Sequence, residues 1–243
     1  MQDRISFLDV LAALRGLGIV EGQGTVPQTD PPELARYAEA QRQGAEKKAR
    51  QAKSVWDEAL PIHGTIAETY LRGRGITCAL PDTLRFHPGC WHPSAKRLPA
   101  MVARIDRADR FAVHRTYLRA DGCGKAEAEP SKAMLGAVAG GAVRLAEGRD
   151  ALAVAEGLET APSLSCGLLR GSVAIWAALS TSGVARLRLP PRAGKLIVVA
   201  DGDAPGKAAG HEMAERATAL GWAGLSPCSP PLMGETGTMF SET

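Results

Sequence analysis

Three carboxylates carry the chemistry this chain can do. Glu156 follows the apolar run LAVA, and Asp201 and Asp203 follow LIVVA, so each group closes a short hydrophobic segment and is next to glycine. Continuous apolar runs of this length, without alternation, have the composition of strands buried on both faces in a parallel sheet. In an open parallel sheet the carboxyl ends of the strands share one crevice, so groups 45 positions apart (156 to 201) can converge there. Crowded carboxylates cannot all stay ionised without a compensating cation, and hard oxygen donors suit Mg2+ or Mn2+ rather than zinc. Such a centre serves phosphoryl or nucleotidyl transfer. Read singly, Glu156 is also an ordinary loop carboxylate and Asp-Gly-Asp an ordinary turn. The repetition of strand, carboxylate and glycine, in order, is what points to a site.

Positioning them requires alternating strands and helices. Strands are expected at 152–155, 173–178 and 196–200, helices at about 159–169, near 183–187 and at about 206–220, and a weak last strand near Ala223. This is an α/β pattern with a mainly parallel sheet. Gly157 and Gly202 let backbone approach a metal or phosphate, and Lys207 opens a helix whose N-terminus favours anions. Ser180, Thr181 and Ser182 end the middle strand, where they either line the crevice or form a turn.

AVAEGLETA followed by VVADGDAPGKAA resembles the TOPRIM domain, shared by bacterial-type primases, type IA and II topoisomerases, OLD-type nucleases and recombination mediator proteins. The resemblance covers about Ala151 to Gly221, and the intervening WAALSTSG is most similar to the TOPRIM primases of phages and plasmids. It implies that Glu156, Asp201 and Asp203 are catalytic and hold Mg2+ or Mn2+. It also implies single-stranded DNA and nucleoside triphosphates as partners, with a replicative helicase as a further one. Upstream, YLRGRGI and LRFHPG resemble the start of a primase catalytic core, and Lys132 in EPSKAML resembles a phosphate-holding lysine, although a plain surface lysine fits the residues equally. Two departures stand out. Thr160 occupies the position four after the glutamate where many primases carry aspartate, and the terminal GTMFSET puts Met239 and Glu242 where the family motif has its first and last aspartates.

The 243 residues suffice for one large or two small domains, and 45% hydrophobic with 23% charged residues is the balance of an ordinary globular protein. Five cysteines without regular spacing predict a reducing, cytoplasmic setting, and no stretch approaches a membrane span. His87, Cys90 and His92 fit no structural zinc spacing. Charge is uneven: residues 85–149 hold 12 Lys/Arg against 6 Asp/Glu, an excess of 6 just before the acidic part. Arg104, Arg115, Arg119 and Lys132 in this stretch are candidate nucleic-acid or nucleotide contacts, with Lys207 beyond it. A solvated surface is the plainer reading of the same charges.

The expected organisation is therefore an N-terminal helical arm at 1–60, a smaller basic α+β subdomain at 61–149 and the TOPRIM domain at 150–243. Within the arm, one helix starts at Ser6 and a second runs from Pro32 toward Leu60; PAMVARI and FAVHRTYL form a hairpin, and AVRLA a further strand. The function expected is primer synthesis on single-stranded DNA. A TOPRIM nuclease and a catalytically weak module that binds DNA or a helicase are the alternatives. A topoisomerase needs a nucleophilic tyrosine, and Tyr37, Tyr70 and Tyr117 all precede the carboxylate motifs.

Overall fold

Period-2 patterning in the middle of the chain and period-3.6 segments after it produce two five-stranded sheets of different kinds. In this computed structural model the described residues are 14, 16, 17, 31–169, 171–191 and 193–228. The helix expected from Ser6 and the terminal Met239 and Glu242 lie outside them. The chain divides into two compact units, Met1–Arg42 and Gln43–Thr243. In the first, the described helical turns carry an ion pair of Arg42 with Glu39 and a hydrogen bond from Gln41 to the Tyr37 hydroxyl.

Helix α1, Pro31–Glu58, is polar along most of its length, and only its last turns have an apolar stripe, Ala52, Val55, Trp56 and then Ala59. That stripe packs on the first sheet. The sheet has order β1-β2-β3-β4-β5, with β1 Leu60–Pro61, β2 Leu84–Trp91, β3 Arg97–Ile105, β4 Ala112–Tyr117 and β5 Lys132–Gly136, each pair antiparallel. The expected hairpin is β3–β4, paired from Ala100↔Tyr117 to Ile105↔Ala112. Between β1 and β2 lies α2, Ile66–Gly73, with Thr65 at its start and Gly75 in the left-handed conformation just beyond its end. Strand β5 was not legible, because KAMLG is short and follows the Glu129-Pro130 turn.

Alternation divides the side chains of this sheet between two partners. Val102 and Val113 meet Ala52 and Trp56 of α1, whereas Met101, Ala103, Ile105 and Ala112 enter a core shared with the second sheet. That shared core runs from Ile62, Tyr70 and Leu71 through Leu118 to Val143, Ala153, Ile175 and Val199.

The second sheet has order β10-β9-β7-β8-β6. Strands β7 Ala151–Ala155, β8 Val173–Ala177, β9 Lys195–Val199 and β10 Ala223–Cys228 are parallel, and β6 Val143–Ala146 adds an antiparallel edge beside β8. Fold class and strand positions follow the alternating pattern. The expected helix at 159–169 is shorter: α3, Thr160–Ser163, passes into a wide π turn at Leu164–Leu168, closed by Leu169 N–H donating to Leu164 O. Helices α4, Thr181–Arg186, and α5, Ala204–Ala219, follow β8 and β9. No described helix is long and apolar enough to cross a membrane.

Candidate functional site

Glu156 is the first residue after β7, and its neighbours at the carboxyl edge are the ends of β8 and β9, since Ala155 pairs with both Ala177 and Val199. The backbone stitches these ends together: Glu156 N–H donates to Val199 O, and Leu179 N–H donates to Glu156 O at 2.8 Å. Leu179 is left-handed (φ 72°), a conformation that costs a branched residue about 1 kcal/mol or more and persists only where its surroundings enforce it. It turns the chain so that Thr181 comes over the crevice, where its hydroxyl donates to Glu156 Oε1 at 3.0 Å. Ser180 caps α4 by accepting from Gly183 N–H at 3.0 Å. Of the three small polar residues, Thr181 therefore touches a candidate ligand and Ser180 builds the turn.

Asp201 and Asp203 leave β9 in the same direction. Asp203 caps α5, its Oδ1 accepting from Gly206 N–H at 2.8 Å, while its other oxygen is not engaged there. Gly206 is required: a β-carbon on it would collide with the Asp201 carbonyl oxygen. The DGDAPGK motif is thus a capped helix start as well as a carboxylate pair. Burial, and then the charges of Asp201 and Asp203, push the Glu156 carboxyl above its usual range, against the opposing hydrogen bond from Thr181. Glu156 thus lies within reach of the charges of Asp201 and Asp203.

This donor set fits a hard divalent cation: oxygens only, like-charged, half-buried at Glu156 and exposed at Asp201 and Asp203. Among the described residues no three His, Cys, Asp or Glu side chains stand close enough to hold an ion as they are.

Three residues beyond Glu156, the situation reverses. Glu159 is enclosed by donors: Lys132 Nζ at 3.0 Å from Oε2, Lys125 Nζ at 3.2 Å and the Tyr70 hydroxyl at 3.0 Å from Oε1. Burial opposes its ionisation, yet Lys132 and Lys125 with the Tyr70 hydroxyl hold its carboxyl down at about 2. His114, buried behind this cluster, is pushed down to about 4 by burial and by Lys132. Its Nδ1 has no hydrogen-bond partner among the described residues.

The basic candidates separate by strand register. Lys132 pairs with Thr116 and shares the face of His114, which is turned toward the parallel sheet, so it reaches the loop after Glu156. Arg104 and Arg115 fall on the other face, with Val102 and Val113. Arg104 pairs with Asp106 at 2.9 Å and lies over Trp56, and Arg115 donates to Trp91 O at 2.8 Å. Arg119, on the following turn, pairs with Asp121 at 2.8 Å. Lys207, exposed, ends the first turn of α5 that the Asp203 cap begins. Sequence reasoning counted Lys125 among the basic side chains of the middle segment but did not bring it together with Glu159 and Tyr70. One signal was available: Lys125 and Lys132 flank a single polar turn, so their side chains can meet. His92 is hydrogen-bonded by Ser94 and Pro130, and Cys90 is buried against Ala100 and Tyr117.

No curated protein and no solved structure matches the chain. Residues 46–145, which hold the antiparallel sheet, match the family model of a domain of unknown function (DUF7146). Residues 151–230, from β7 through β10, match that of the Toprim domain, whose members bind Mg2+ through acidic residues. The chain therefore carries a Toprim domain, with Glu156, Asp201 and Asp203 at its carboxyl edge.

Proposed function

We propose that this Toprim protein is a primase-type nucleotidyltransferase that makes short primers on single-stranded DNA from nucleoside triphosphates. The observation that carries the reading is the meeting of two surfaces. Three carboxylates end the strands of the parallel sheet, and two ammonium groups, from Lys125 and Lys132 of the upstream segment, stand at the loop between Glu156 and α3.

Glu156, Asp201 and Asp203 would hold Mg2+ or Mn2+. Bound there, the cation supplies charge neutralisation for phosphate and a lowered pKa for an attacking hydroxyl. Around it, the chain's own groups divide the work. Thr181 fixes the Glu156 carboxylate by hydrogen bonding one oxygen and leaving the other. Asp203 keeps one oxygen on α5, which limits its rotation. Lys132 spends one of three N–H donors on Glu159, leaving donors for the oxygens of a triphosphate. Lys207 adds a positive charge at the start of α5, on the strand end that carries Asp201 and Asp203. A replicative helicase is the partner such primers would serve.

The test is incubation of the purified protein with single-stranded DNA, nucleotides and Mg2+, resolving products by length. Primers of a few nucleotides, absent with Glu156→Gln, are expected. Fragments shorter than the input strand would replace the reading with a nuclease, and binding with no metal-dependent product would replace it with a recruitment module.

A further inference from the structure

On the face of the antiparallel sheet turned away from the parallel one, a groove of about 400 Å3 opens between the second half of α1 and the ends of β2 and β3. Ser54, Glu58, His87, Trp91, Arg97 and Arg115 line it. None of them belongs to the carboxylate crevice.

Two features of the groove are only partly met by the protein's own contacts. Trp91 is 52% exposed, against 5%, 3% and 7% for Trp56, Trp176 and Trp222. An indole left open at a strand end gives up burial that the other three obtain. Arg97 already covers part of it, the guanidinium 4.3 Å from the ring centroid and anchored by a bond to Gly89 O at 3.2 Å. Arg115 is the second feature. It is only 7% exposed, its Nη1 donates to Trp91 O and its guanidinium lies 5.7 Å from the Tyr117 ring centroid, but among the described residues its buried Nε has no partner and no ion pair with a carboxylate is found. Glu58, the acidic group in the groove, is engaged by Ser54 at 2.6 Å and lies 3.4 Å from His87. A buried guanidinium without a counter-ion is costly, and its unmet demand is for an anion.

A ligand that meets both demands has a flat π surface next to an anionic group, which is the chemistry of a nucleotide unit. We propose that this groove binds one unit of a single-stranded nucleic acid, its base stacked on Trp91 and its phosphate received by Arg97 and Arg115. A strand rather than a free nucleotide is indicated because the groove is open and lies in the segment with 12 Lys/Arg against 6 Asp/Glu. The nucleic-acid part of this inference rests on the function proposed above, but the surface is a separate one. It would hold the strand away from the metal centre, on the far side of the sheet that supplies Lys132.

The experiment is a titration of the full chain with a ten-nucleotide oligo(dT) in excess EDTA, read by tryptophan fluorescence and by anisotropy of labelled strand. Wild type is expected to show quenching, since Trp91 is the exposed indole. Trp91→Ala should weaken binding by about tenfold and remove the quench, and Trp91→Phe should restore part of the affinity. Arg97→Ala should flatten the log-log salt slope by about 0.7. Wild-type affinity in both Trp91→Ala and Arg97→Ala would overturn the proposal, as would equal affinity for thymidine monophosphate and for the strand. Because chelator removes metal, the two readings fail separately. Quenching without primer synthesis removes the proposed reaction and keeps the groove, and primer synthesis without quenching does the reverse.

Discussion

The two sheets treat charge in opposite ways. At the carboxyl edge of the parallel sheet, Glu156, Asp201 and Asp203 repel one another, and the ionised form of Glu156 is disfavoured. On the antiparallel sheet and its loops, Arg104, Arg119 and Lys132 each find a carboxylate. The contrast is sharpest within one turn of chain, where Glu156 lies above the usual carboxylate range and Glu159 far below it. The first arrangement leaves charge for a cation to neutralise; the second ties two segments together. Glu159 is such a joint, since its partners Tyr70, Lys125 and Lys132 all come from the upstream segment.

The largest expected effect is on the uncompensated side. Asp201→Ala should lower nucleotidyl transfer by about 10³-fold or more while circular dichroism stays unchanged. Activity within tenfold of wild type would mean that this edge is not the site.

Stability should then move in opposite directions at the two glutamates. Glu159→Ala leaves two lysines facing each other over a partly buried gap and should cost about 3 kcal/mol, lowering the melting temperature by about 6–12 °C. Glu156→Gln, measured without metal, relieves repulsion and should raise it by about 2–4 °C. Shifts of the same sign would break the comparison. The pH dependence follows from the direction at Glu159. A carboxyl whose folded pKa is about 2 binds fewer protons folded than unfolded. Its contribution is complete above the ordinary glutamate value of about 4.3 and is lost as pH falls toward 2. Urea midpoints of wild type and Glu159→Gln should differ at pH 6 and converge at pH 2.

A smaller effect separates the cations. Lys132→Ala should flatten the salt slope for single-stranded DNA by about 0.7, because Lys132 and Lys125 share the one carboxylate of Glu159, while Arg104→Ala and Arg119→Ala, each paired one to one with Asp106 and Asp121, should leave it nearly unchanged. Equal changes in all three variants would return the arginines to a phosphate track. The smallest effect is expected at Met239, a thioether at the position where the primase motif that the terminus resembles would supply an oxygen ligand. Met239→Asp should reduce the Mg2+ needed for half-maximal activity, and identical metal titrations would remove the tail from the site.

Most of the parallel sheet could be read from the sequence because its strands are short, continuously apolar and separated by helices, and because its carboxylates repeat at their ends. The crevice followed from that topology alone. What could not be read was the assignment of faces in the antiparallel sheet. Arg104, Arg115 and Lys132 look alike as residues in a basic stretch. A register in which Lys132 opposes Thr116, and Arg115 opposes Val102, is what sends them to different sides. Strand β5 sets that register for Lys132, and its five residues carry no pattern strong enough to show in advance. The Glu159 joint was equally hidden, since its partners lie 27, 34 and 89 positions away and meet only after both sheets have formed.

Strand β6 has one more consequence. Residues 143–146 fall within the upstream family match at 46–145 apart from the last, yet they pair with β8 and finish the Toprim sheet. A fragment beginning at residue 150 would keep all three carboxylates and lose that edge strand, presenting the hydrogen-bonding groups of β8 to solvent. Bare edges recruit strands from other molecules. Such a fragment should be isolated as aggregates or swapped dimers, whereas one beginning at residue 140 would carry its own guard against self-association.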